Sequence, residues 1–229
     1  MSTLLAPLGL FLGLLHIIAD YRHAWRLTYV LKPLTMVCFV LIAALVVPAD
    51  AVYRNGVVAA LLLSLAGDIM LMLRPARFVA GLIFFLLAHL LYIASFFRLA
   101  DGLWWPGLLV PALAGLVMAR VLWTPSGGLR PAVLAYIATI VLMVASAASA
   151  WWSAQASGQL VSGELISGYL MILLGAALFM VSDAVLGYAR FRQRFSSAQA
   201  LILGTYYPAQ CLLAVSVGLI PPMTQNTIL

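Results

Sequence analysis

Two aspartates stand where a chain of this composition has least use for them. Only six acidic residues occur in the 229. Asp20, Asp50, Asp101 and Glu164 fall at the ends of apolar segments or between them, where solvated roles suffice. Asp68 and Asp183 fall about five residues inside apolar segments, roughly 7–8 Å into hydrocarbon at 1.5 Å per helical residue. A carboxylate at that depth costs a few kcal/mol on insertion scales and marks a site of function unless it only bonds one helix to another. That both sit at a similar depth from the same face favours function. His89 is the third group of interest, about ten residues into its own segment, with Phe85, Tyr92 and Phe96 on the same helical face. A satisfied core histidine and a working one remain equal readings there. Gln199, Tyr206 and Gln210 form a comparable stripe near the C-terminus, with Tyr207 beside it.

The elements that must hold these groups follow from composition. Two thirds of the residues are apolar and 8% are charged, against about 25% in a soluble domain. A surface so poor in charge faces lipid. The expected fold is all-α, a polytopic bundle of eight transmembrane helices over roughly 4–19, 32–48, 56–73, 78–98, 104–122, 131–150, 168–188 and 198–220. Pro48, Pro75, Pro106 and the run Pro125-Ser126-Gly127-Gly128 punctuate them. The first segment lacks the basic start of a signal peptide and reads as a retained membrane helix. Residues 1–229 form one transmembrane domain. Lys32-Pro33 against Arg130-Pro131, and Gly67-Asp68 against Ser182-Asp183, suggest duplicated parallel halves, 1–100 and 101–229.

Charge sets the orientation. Ten of the twelve basic residues, Arg22, Arg26, Lys32, Arg74, Arg77, Arg120, Arg130, Arg190, Arg192 and Arg194, fall near the odd-numbered connections; only Arg54 and Arg98 fall near the even ones. The positive-inside rule then places the odd connections in the cytoplasm and both termini outside, in a multi-pass protein of the cell inner membrane. A pI near 9.7 is accounted for by these flanks, and without a basic run interleaved with aromatics no nucleic-acid partner is expected. Trp104, Trp105, Trp151 and Trp152 read as interface anchors. Cys38 and Cys211 read as small hydrophobes. Three histidines, with no HExxH, Cys/His cluster or GxSxG, give no expected metal site or cofactor.

Taken in order, Lys32-Pro33, Gly67-Asp68, Phe85 to His89 and Tyr92, Tyr136, Phe179 to Ser182-Asp183, Arg190-Phe191 and Tyr206-Tyr207 to Gln210 resemble the YhhN-type membrane lysoplasmalogenases over nearly the whole chain. The resemblance implies a hydrolase of the vinyl ether bond of lysoplasmalogens. Its products would be a fatty aldehyde and glycerophospho-ethanolamine or -choline, with a lysophospholipid in a lipid bilayer as the partner. It implies Asp68, Asp183 and His89 as catalytic residues. Substrate contacts would come from Lys32, Tyr92, Tyr136, Ser182, Tyr206, Tyr207 and Gln210. A vinyl ether needs a proton donor and an anion near the resulting oxocarbenium ion, and two carboxyls can supply both. The alternative is a small proton-coupled transporter, since paired intramembrane aspartates and repeated halves serve carriers too.

Overall fold

The structure is a computed structural model. It describes residues 2–73, 77–123, 127–157 and 163–220, with side chains from residue 4 in the first stretch and from residue 168 in the last. Arg74, Pro75, Pro125, Ser126 and the Glu164 side chain, all used above, lie outside the described residues. Eight long helices are present among those described. They are α1 (Ser2–Tyr21), α2 (Trp25–Leu45), α3 (Ala51–Met72), α4 (Phe78–Phe97), α5 (Trp105–Leu122), α6 (Arg130–Ala156), α7 (Gly163–Phe191) and α8 (Ala198–Ser216). A 3-10 turn at Gly127–Leu129 leads into α6. The protein is a polytopic membrane bundle.

Seven of the helices are long and apolar enough to cross a bilayer. The exception is α8, which carries Gln199, Thr205, Tyr206, Tyr207 and Gln210. Its place in the bundle explains the difference. It packs against α7, α1, α2 and α3, so much of its surface meets protein rather than lipid. At the opposite extreme α5 is peripheral, leaning on α6 and touching α7 only lightly. Its Leu109, Val110, Leu113, Leu116 and Val117 are all exposed.

The helix ends differ from the expected ones where polar residues were taken for loop. α2 begins at Trp25, so Lys32 and Pro33 lie inside it rather than opening it, and Lys32 is buried. A helix packed in a bundle tolerates proline because neighbours re-satisfy the freed backbone. By contrast Pro131 does sit in the first turn of α6, where no donor is lost. Asp50 is also unlike its expected solvated role. It is buried, caps α3 by accepting from the amides of Val52 and Tyr53, and accepts from Arg98 Nε at 2.7 Å. Burial works against its charge, but the two amides and the guanidinium outweigh it and hold its carboxyl below the usual range.

Close approach of α3 and α4 depends on glycine. A Cβ at Gly67 would stand 2.9 Å from the Phe85 ring, and one at Gly81 would stand 2.7 Å from Leu71 Cδ2. Small residues at crossings let membrane helices pack backbone to backbone. Here they also lay Phe85 across α3 beside Asp68.

Candidate functional site

A cavity of about 830 Å³ opens at one end of the bundle. Its mouth is formed by the connections α1–α2, α3–α4 and α7–α8, which supply His23, Leu73, Arg194 and Ser196. Among the described residues His23 is the one non-glycine with a left-handed backbone, φ 53°, at the tight turn into α2. Deeper in the cavity lie Lys32, Asp68, Ser182, Asp183 and Tyr206, which the sequence singles out from four different helices.

The two carboxylates keep different company. Lys32 Nζ lies 2.9 Å from Asp68 Oδ1, with the two side chains 9% and 3% exposed. Tyr206 OH donates to the other oxygen, Asp68 Oδ2, at 2.8 Å. Tyr136 OH donates to Asp183 Oδ2 at 2.7 Å. His89 Nε2 lies 3.6 Å from that same oxygen, too far for a hydrogen bond. Among the described residues Asp183 thus has no lysine or arginine against it, and no side-chain donor to its Oδ1. Their places on their helices differ as well. Asp68 lies four residues before the end of α3 and Asp183 eight before the end of α7, about 6 and 12 Å along the axes. α7 runs three residues past its expected end at 188, and both carboxyls line the one cavity.

A run of aromatic rings beside the cavity links the partners of Asp68 to those of Asp183. The Phe179 ring lies 5.4 Å from Tyr206, 6.2 Å from Phe85 and 4.6 Å from His89, and His89 lies 5.4 Å from Tyr136. Phe179 is one turn before Asp183 on α7, so it shares that helix face. These edge-on contacts fix the rings without using polar groups. His89 is fully buried within them, behind the cavity rather than on its wall.

Four of the substrate contacts implied above stand back from the opening. Tyr92 OH donates to Gln210 Oε1 at 2.7 Å in the buried interior, and neither residue lines the cavity. Tyr207 shares a 2.6 Å hydrogen bond with His16 Nδ1. Tyr136 faces a second, apolar cavity instead. Conversely, sequence reading passed over His16, which is buried on the wall of the polar cavity. The clue was its spacing: His16 and Asp20 are four apart on α1 and therefore on one face, and Asp20 lines the cavity too. Among the described residues no three His, Cys, Asp or Glu side chains converge as metal ligands would.

The chain is similar to known proteins over most of its length. YhhN of Escherichia coli O157:H7, a membrane protein that is itself uncharacterized, is 27% identical over 202 residues, 88% of this chain and 92% of its own. Lysoplasmalogenase TMEM86B of Sus scrofa is 32% identical over 214 residues, 91% of this chain and 83% of its own. Lysoplasmalogenase TMEM86A of Bos taurus is 34% identical over 157 residues, 68% of this chain and 62% of its own. No solved structure matches the chain significantly. The YhhN family model matches residues 27–217, a span that takes in both aspartates and every one of their side-chain partners, and the chain belongs to the YhhN family.

Proposed function

We propose that this protein is a membrane lysoplasmalogenase, with Asp183 as proton donor and Asp68 as the fixed anion. The observation that carries the reading is the unequal pairing of two carboxyls on one cavity wall: Asp68 has Lys32 at 2.9 Å, and Asp183 has no such cation among the described residues. A buried charge persists when it is paired and is costly when it is not, so the proton belongs on Asp183. Tyr136 holds Oδ2 of that carboxyl and leaves Oδ1 to carry the proton into the cavity. The names of the TMEM86 relatives supply the substrate class.

The reaction follows. Asp183 gives its proton to the β carbon of the vinyl ether. The ether oxygen then shares the positive charge of an oxocarbenium ion. The Asp68 carboxylate stabilises that charge, with the Phe85 and Tyr206 rings on the same cavity wall. Water from the cavity mouth adds to the cationic carbon and returns a proton to Asp183. The hemiacetal then collapses to an aldehyde and the glycerol hydroxyl. No net proton is consumed and no redox step occurs. His89, 3.6 Å from Asp183 and packed on Phe179 and Tyr136, positions the carboxyl rather than touching the lipid.

The mouth carries His23, Arg190 and Arg194, suited to a phosphate. By the positive-inside rule this end faces the cytoplasm, with both termini outside. Each helix runs unbroken among the described residues, which favours a hydrolase over a carrier built on unwound helices. The test is incubation of the purified protein with lysoplasmenyl-ethanolamine, reading fatty aldehyde; its absence would sink the reading.

A further inference from the structure

A second cavity, about 360 Å³, lies between α4, α5, α6 and α7. Asp183 lines both cavities, as do Phe78 and Leu186, so the two spaces meet at one carboxyl. The chemistry of their walls is opposite. Among the described residues Asp183 and Tyr136 are the polar side chains of the second cavity, and those two are bonded to each other. A space so lined offers nothing to a headgroup, sugar or ion, and favours hydrocarbon. It also reaches the molecular surface in the apolar belt. Ala114 and Val117 line it from the bare side of α5, and Val117 is 63% exposed.

We propose that this cleft is the hydrocarbon-chain subsite of a single-chain amphiphile, entered sideways from the bilayer past α5. The chain lies against Ala114, Ile137 and Met180, the bond next to it reaches Asp183, and the anionic head occupies the polar cavity near Arg190 and Arg194. Two consequences follow from the walls. Chain length is measured by the cleft, and a single chain fills its apolar space at Asp183. The inference rests on the proposed hydrolysis only for the event at Asp183, because a chain can occupy the cleft without reacting.

The test therefore uses lipids that cannot react. Saturated 1-O-alkyl lysophosphatidylethanolamines with octyl, dodecyl and hexadecyl chains compete with a radiolabelled hexadecyl lipid on the purified full-length protein. The wild type binds hexadecyl about tenfold or more tighter than octyl, since each buried methylene adds to affinity. Ala114→Trp, at an exposed rim position that a larger side chain does not overpack, removes most of that preference. Met118→Trp, also on the lining, does the same. A hexadecyl chain tipped with a diazirine marks α5 and α6 in the wild type, whatever the variants do. An unaltered length preference in both variants, or labelling confined to α1, α2 and α3, would overturn the subsite. Aldehyde release from the matching vinyl ether lipids is read separately. Chain-dependent binding without aldehyde would leave the subsite standing and remove the hydrolase reading; aldehyde with no chain dependence would do the reverse.

Discussion

Lys32 of α2 and Asp68 of α3 form an ion pair inside the bundle, 2.9 Å apart, and the different roles proposed for the two aspartates rest on it. Breaking a buried pair by removing one member costs about 3–5 kcal/mol, because the survivor keeps an uncompensated charge, whereas removing both can be nearly neutral. Lys32→Met and Asp68→Asn should each lower the thermal unfolding temperature of the purified protein. The double variant should recover much of the loss. Additive losses would show that the two charges act independently. The resemblance makes Lys32 a substrate contact, for which weakened substrate binding would dominate; the pair predicts lost stability and turnover instead.

Tyr136→Phe tests how Asp183 is held. The hydroxyl donates to Oδ2 at 2.7 Å from α6 to α7. Loss of a hydrogen bond to a buried carboxyl costs about 1–3 kcal/mol, or roughly tenfold and more in rate. Aldehyde release should fall, and the unfolding temperature should drop by only a few degrees, leaving the variant folded at the assay temperature. An unchanged rate would mean that the proton does not come from this carboxyl.

Asp50 gives a pH-dependent prediction at the other end of the molecule. Its carboxyl is held below the ordinary range, so the folded state binds fewer protons there than the unfolded chain. Its contribution is complete above the ordinary carboxylate range and fades as pH falls through the depressed folded value. Asp50→Asn keeps a capping oxygen but loses the Arg98 pair. The variant should therefore be less stable than the wild type near neutral pH, by about 1 kcal/mol, with the gap closing in acid. Thermal unfolding across pH measures it; a gap that widens in acid would reverse the sign.

Gly67→Val should disturb the site through packing alone. The new Cβ would sit 2.9 Å from the Phe85 ring, and that ring has Phe179 and Tyr206 on its other sides. Overpacking of this kind costs about 1–3 kcal/mol. Wild-type stability in Gly67→Val would show that Phe85 can move aside at no cost.

The bundle was legible in the sequence because lipid imposes a strict length and polarity on each helix; seven of the eight are visible by hydropathy alone. Asp68 and Asp183 stood out for the same reason, being the carboxylates well inside apolar segments. Pairing was not legible. Lys32 and Asp68 are 36 positions apart on different helices, and Lys32 looked like a loop cation because the first two turns of α2, from Trp25 to Lys32, are too polar to read as membrane helix. Asp50 was misread for a related reason: the sequence shows a helix end but not that Arg98 returns to it from α4. Tyr92 and Gln210 share a face with site residues yet bond each other in the interior, a distinction that periodicity cannot make.

Aldehyde release by Asp183→Asn is the most direct measurement. Asparagine keeps the shape of the side chain and can still accept from Tyr136, so the fold should hold. It has no acidic proton to give. Hydrolysis of lysoplasmenyl-ethanolamine by the purified variant should fall by about 10²–10⁴, the range for loss of a general acid, with the unfolding temperature close to that of the wild type. A folded Asp183→Asn protein that releases aldehyde at nearly the wild-type rate would contradict the assignment of the proton to this residue.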